Sequence, residues 1–246
     1  MKTAKVNVLG VDFDAVTPAD AVSRAEEILA EPRGESARYV VTPNPEIVRL
    51  ARRSPEYRNA LNAAALVLPD GIGVIYAAKI LKKPLRTRVT GIDFASELLG
   101  RCAERGFSAF LFGAKPGVAE TAAARLAERY PGIVIAGTAD GYFADADARA
   151  TAINAASPDL LLVCLGAPKQ ELFMAKYAAE LNAKLAVGLG GALDLFAGNV
   201  RRAPRLMRKL GLEWLYRLAK QPSRIGRMAK LPLFLLGALR ERIRKK

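Results

Sequence analysis

Leu160-Leu161-Leu162-Val163-Cys164-Leu165-Gly166, followed at once by Ala167-Pro168-Lys169-Gln170-Glu171, is the stretch from which the fold is read. A short, uninterrupted apolar run suits a strand buried on both faces, and the glycine and proline after it stop it. Gln170 and Glu171 then stand where the first turn of a helix begins. The same order recurs outward along the chain. Tyr39–Thr42, Leu66–Leu68, Ser108–Phe112, Ile133–Ala136 and Leu185–Leu189 are further predicted strands, and Val6–Val11 is the first. Helical patterns separate them, with starts such as Thr17-Pro18-Ala19-Asp20 and Asn44-Pro45-Glu46, where a polar cap precedes a proline and an acid. Apolar strands alternating with helices predict an α/β fold, Rossmann-like, with a mostly parallel sheet covered by helices on both faces. Ligands of such sheets bind beyond the carboxyl ends of the strands, so chemistry is sought there.

Charge divides the chain. Its formal net charge is +14, from 38 Lys+Arg and 24 Asp+Glu. Residues 197–246 hold 15 of the basic residues against 2 acidic ones, Glu213 and Glu241, so the first 196 residues, with 23 basic and 22 acidic, are near neutral. The composition changes at Gly198–Pro204, which sets the expected boundary between an α/β body (1–197) and a basic, helical appendage (198–246). That asymmetry calls for an anionic partner, either lipid or nucleic acid. In the appendage Leu206, Leu210, Trp214 and Leu218 are interleaved with Arg205, Arg208, Lys209 and Arg217, an amphipathic basic pattern that suits a bilayer surface better than a phosphate groove. The apolar run Leu231–Leu239, interrupted by Pro232 and Gly237, is too short to span a membrane. The N-terminal residues lack the apolar core of a signal peptide, and the 2 cysteines, Cys102 and Cys164, lie in apolar patterns. The expected location is the cytoplasm, at the membrane surface, without nucleic acid as partner.

The chain has 0 histidines, which removes every mechanism needing an imidazole base or ligand. Acid–base work falls to carboxylates, Lys, Tyr or Cys. Asp70, in Pro69-Asp70-Gly71-Ile72-Gly73 after a predicted strand, is placed as a general base with glycines beside it, although an Asp there also serves as a helix cap. Thr42 and Asn44 are held between prolines at another strand end, and Asn44 alone is explained by capping. Arg88, ahead of Thr90-Gly91, is the kind of cation that holds phosphate oxygens. Gly113, Gly166 and Gly190 stand in glycine-bearing strand-end loops, where backbone can approach a phosphate or a nucleotide. No loop has the glycine spacing of a P-loop or of a dinucleotide site, which weakens the alternative of a nucleotide-cofactor oxidoreductase. The acidic pairs Asp12/Asp14 and Asp145/Asp147 read as a turn and a helix start, not as metal ligands.

Seven segments together, TPNPEIV (42–48), LPDGIGV (68–74), RVTGIDF (88–94), LFGAKPG (111–117), GAPKQE (166–171), VGLGGALDLFAGNVRRAP (187–204) and LGLEWLYRLAKQPSRIGR (210–227), resemble, in order, the motifs of the WecG/TagA/CpsF bacterial glycosyltransferases, glycosyltransferase family 26. The resemblance implies an inverting, metal-independent enzyme without a cofactor. It would transfer a hexose or N-acetylhexosamine from a UDP-sugar to a sugar on polyprenyl diphosphate in cell-surface polysaccharide synthesis. It implies Asp70 as the base and Thr42, Asn44 and Gln170 as pocket residues, with Arg88 on the diphosphate. Arg217, Arg224 and Arg227 would close over the site when the appendage meets the membrane. Gly113, Gly166, Glu171 and Gly190 complete the expected binding set.

Overall fold

The computed structural model describes residues 4–220 and 231–244. The chain opens with a hairpin of β1 (Lys5–Val8) and β2 (Val11–Asp14). It continues through α1 (Pro18–Ala30), β3 (Arg38–Val41), α2 (Pro45–Ala51), α3 (Pro55–Asn62), β4 (Leu66–Val67), α4 (Ile72–Ile80) and α5 (Gly91–Arg105). Then come β5 (Ser108–Gly113), α6 (Val118–Arg129), β6 (Val134–Ala139), α7 (Ala146–Ala156), β7 (Leu160–Cys164), α8 (Lys169–Tyr177), β8 (Leu185–Gly188) and α9 (Ala192–Phe196). The C-terminal segment supplies α10 (Arg205–Lys209), α11 (Glu213–Lys220) and α12 (Leu231–Arg244).

Six strands form one parallel sheet in the order β4-β3-β8-β7-β5-β6. Side chains alternate between its two faces, as the period of two requires. Tyr39, Val41, Phe110, Phe112, Leu161, Val163 and Ala186 join one core cluster with α2, α3, α4, α7, α8 and the hairpin. Val40, Ala109, Leu111, Leu160, Leu162, Leu185 and Val187 join the other with α1, α5, α6 and α9. The expected doubly covered α/β sheet is therefore the observed one. Each fully buried Leu or Val in it contributes roughly 1.5–3 kcal/mol of transfer free energy. Helix starts follow the side-chain chemistry: Thr17, Asn44, Ser54, Thr90 and Asp145 each accept backbone N–H groups of the turn that follows.

One expectation is corrected. Val6–Val11 is not one strand, because Leu9 (φ 55°) and Gly10 (φ 94°) turn the chain and Val8 pairs with Val11. Two positive-φ residues make the tight turn whose twist matches antiparallel strands. The resulting hairpin stands apart from the parallel sheet, and its buried Asp14 accepts from Lys5 Nζ at 2.7 Å and from Val67 N at 2.8 Å, tying it to β4. The C-terminal segment packs on the body through α12. Phe234 (1% exposed) and Ala238 (0%) of α12 enter the first core cluster, with Leu231 and Leu235 packed beside them. Leu231 reaches Gly73 on α4, so close that a Cβ there would lie 2.8 Å from its Cδ1. No helix among the described residues is long and apolar enough to cross a membrane.

Candidate active site

The connections leaving β3 and β8 part to opposite faces, since α2 lies in one core cluster and α9 in the other. Neighbouring strands whose connections diverge leave a crevice at their carboxyl ends. Thr42, one residue past β3, is buried and donates its hydroxyl to Gly188 O of β8 at 3.0 Å, bridging that crevice. Asn44 caps α2, its Oδ1 accepting from Glu46 N at 2.9 Å and Ile47 N at 3.1 Å. Asp70, past β4, is half-buried, and its N–H donates to Pro43 O at 3.2 Å. Its Oδ2 faces the N–H of Gly91, the first residue of α5, at 3.5 Å. A Cβ on Gly91 would sit 3.2 Å from Thr42 Oγ1, so the α5 start abuts Thr42 as well. The structure thus brings Thr42, Asn44 and Asp70 together around the ends of β3 and β4.

Gln170 joins them from α8. It is 2% exposed, and its Oε1 accepts from Gly190 N at 2.8 Å while its Nε2 donates to Glu171 Oε1 at 2.7 Å. Glu171 does not face the crevice as expected. It is 0% exposed, and its Oε2 accepts from Tyr57 Oη at 2.8 Å inside the protein. Burial raises the Glu171 carboxyl above the usual range against the opposing pull of the Gln170 and Tyr57 hydrogen bonds. Its place is beneath Gln170, holding the amide in one orientation.

Gly113 (φ 131°) has no room for a side chain, since a Cβ would fall 2.4 Å from Cys164 O. Gly166 (φ 76°) and Gly190 (φ 57°) have open space where a Cβ would point. Beside them the ends of β5, β6 and β7 wall a cleft of about 790 Å³, lined by Ala114, Lys115, Tyr142, Phe143, Lys169 and Asp194 among others. Tyr142, 66% exposed, offers an aromatic face, and Lys169 Nζ lies 4.0 Å from the Phe143 ring centre. Sequence reading did not single out these lining residues. Lys115, Lys169 and Asp194 lie in quoted motifs, whereas a strand expected to end at Ala136 leaves Tyr142 without a place at a strand end. The strand runs on to Ala139, which makes Asp140-Gly141-Tyr142 a strand-end loop.

Arg88, half-buried, donates from Nη2 to Arg208 O of α10 at 3.0 Å, so it joins the body to the C-terminal segment. The Arg217 side chain, Arg224 and Arg227 lie outside the described residues. Cys102 and Cys164 are buried thiols, both pushed up to about 12 by burial, and have the character of core residues. Asp12 pairs with Asn7 on the hairpin and Asp145 caps α7, each in a structural place. Among the described residues no group of three or more His, Cys, Asp or Glu is arranged to hold a metal.

Comparison with known proteins bears on this arrangement. The profile described as "Glycosyl transferase WecG/TagA/CpsF family" matches residues 6–246. The chain is 41% identical over 202 residues to an N-acetylglucosaminyldiphosphoundecaprenol N-acetyl-beta-D-mannosaminyltransferase of Bacillus spizizenii, covering 82% of this chain and 79% of that one. A Bacillus subtilis protein of the same description is 40% identical over 207 residues, 84% of this chain and 81% of its own. One from Staphylococcus aureus (strain MRSA252) is 36% identical over 233 residues, 95% of this chain and 91% of its own.

Proposed function

Because the chain belongs to the WecG/TagA/CpsF glycosyltransferase family, we propose that it moves a hexose or N-acetylhexosamine from a UDP-sugar to a sugar carried on polyprenyl diphosphate. N-acetylmannosamine is the first candidate for the sugar transferred, and polyprenyl-diphosphate-linked N-acetylglucosamine for the acceptor, from the names of its relatives. The observation that carries the reading is Asp70: a partly exposed carboxylate past the end of β4, facing the α5 N-terminus, in a chain with 0 histidines.

In this reading Asp70 takes the proton of the acceptor hydroxyl as its oxygen attacks the anomeric carbon. The bond to the UDP β-phosphate oxygen breaks on the opposite side, so the configuration inverts. Negative charge grows on the departing diphosphate, and Arg88 with the glycine-rich strand-end loops supplies the opposing field. The cleft walled by Lys115, Tyr142 and Lys169 suits a uridine diphosphate, with an aromatic face for the base and two cations for the phosphates. Thr42, Asn44 and Gln170 hold the crevice in shape, and Glu171 acts through Gln170. Transfer proceeds without a metal or cofactor, and activity in the presence of a chelator checks that part.

A lipid-linked acceptor implies work at a membrane surface. The basic C-terminal segment supports this, since each Lys or Arg near an anionic surface adds roughly 1 kcal/mol of attraction. Exposed Leu206, Leu210, Leu215, Leu233, Leu236 and Ile243 supply apolar contact. The deciding experiment is a screen of UDP-sugars against polyprenyl-diphosphate acceptors, with products read by mass spectrometry. Turnover with at least one pair is expected, together with a loss of about 10²–10⁴-fold in Asp70→Asn. Full turnover by that variant defeats the role given to Asp70.

A further inference from the structure

Charge joins the C-terminal segment to the body at one loop. Arg202, between α9 and α10, sends both terminal nitrogens to the Asp93 carboxylate, Nη1 to Oδ1 at 2.5 Å and Nη2 to Oδ2 at 2.6 Å. This is the two-pronged pairing in which a guanidinium holds a carboxylate best. Arg202 Nε lies 3.5 Å from Glu213 Oε1 at the start of α11. Arg208 of α10 approaches Asp93 at 3.9 Å, and its carbonyl takes the Arg88 hydrogen bond at 3.0 Å. Burial by itself would raise the Asp93 carboxyl, but Arg202 and the Thr90 hydroxyl outweigh it and hold it below the usual range.

The segment gripped in this way, residues 88–93, runs into the first turn of α5, the helix start that meets the crevice. Val89 N–H donates to Pro69 O at 3.0 Å, immediately before Asp70. Gly91 N–H faces Asp70 Oδ2, and Gly91 also packs on Thr42. Thr90 Oγ1 donates to Asp93 Oδ2 at 2.5 Å, so the clamped carboxylate and the residue beside Gly91 are directly bonded. A displacement at Asp93 therefore reaches the surroundings of Asp70 through two residues of backbone. An isolated exposed ion pair would be too weak to matter. Here the pair is bidentate and shared with Glu213 and Arg208, on a guanidinium that is largely covered.

We propose that the Asp93–Arg202 pair, flanked by Arg88 and Arg208, is a latch that couples the seating of residues 198–220 to the placement of Asp70. Asp93 and Arg202 are then positioning residues. The coupling to chemistry rests on Asp70 being the base; the latch itself does not.

Trp214 is the chain's 1 tryptophan and follows Glu213 directly in α11, so its emission reports seating without any substrate. The full chain is compared with Asp93→Asn, Arg202→Gln, the double variant and Arg202→Lys, by Trp emission and iodide quenching and by kcat and KM. Each single neutral variant is expected to shift Trp emission to the red, to raise quenching, and to lower kcat by about tenfold or more. The double variant is expected to be no worse than the poorer single one, since both remove the same interaction. Arg202→Lys is expected to recover part of both signals. Unchanged emission, shifted emission with undiminished kcat, or losses that multiply in the double variant each overturn the proposal. Thermal midpoints separate local release from unfolding, and if Asp93→Asn disturbs the α5 start, Arg202→Gln decides. A parent protein that turns over no UDP-sugar overturns the reaction proposed above, while the emission shift still decides the latch.

Discussion

Glu171 and Asp70 are both carboxylates near the carboxyl edge of the sheet, but only Asp70 is open to solvent. Burial raises Glu171, so the folded chain holds that proton more tightly than the unfolded chain does. The sign follows from linkage. The resulting stabilisation is complete below the unfolded value and is lost as pH rises through the raised folded value. Denaturant midpoints of the parent and Glu171→Gln, taken from about pH 4 to about pH 7, should move in the variant's favour as pH rises. A difference independent of pH would show that Glu171 does not titrate in that range. Gly113 gives a simpler prediction. With φ 131° and Cys164 O where a Cβ would go, Gly113→Ala should cost about 2–4 kcal/mol, read by urea unfolding.

At the scale of elements, α12 carries the main surprise. The sequence shows an apolar run, Leu231–Leu239, interrupted by Pro232 and Gly237, and Leu233–Leu236 within it reads as a stretch for a bilayer interface. Phe234 instead fills the body's core, while Leu233 and Leu236 of the same turn stay exposed. Phe234→Ala should therefore destabilise the whole protein by about 3–5 kcal/mol, measured by chemical unfolding. A loss well under 1 kcal/mol would mean that α12 is not part of the folding unit. Periodicity identifies an apolar face but not what covers it, which is why this assignment was not legible. The parallel strands were legible, because a short apolar run between turn residues has few other uses in a soluble fold. The opening hairpin was not, because Leu9-Gly10 interrupts the apolar pattern too briefly to reveal a reversal.

For the whole molecule, the decisive feature is a near-neutral body joined to a strongly basic C-terminal segment. Removing residues 198–246 would strip the cover from α4 along with any membrane contact, so surface substitutions make the cleaner test. Replacing Leu233, Leu236, Leu239 and Ile243 by Ser should leave the thermal midpoint nearly unchanged, because all four are exposed. The same replacement should weaken binding to vesicles containing anionic lipid, seen by co-sedimentation. Binding by the parent should fall as salt approaches about 1 M, where screening acts over about 3 Å. Undiminished binding by the fourfold variant would move the docking surface elsewhere.

The sequence by itself determined the α/β class, the position of the strand-end loops, the absence of histidine, and the charge asymmetry. These depend on local pattern and composition, which survive without coordinates. Its motifs, through resemblance, named the family to which the profile and relatives assign the chain. Tertiary structure alone decided that Glu171 lies beneath Gln170, that Tyr142 lines a cleft, that α12 belongs to the core, and that Arg202 grips Asp93. Each of these relates parts of the chain that pattern cannot orient toward one another. Burial and pairing are properties of the assembled fold, and a strand-end acid acquires its role only from what packs around it.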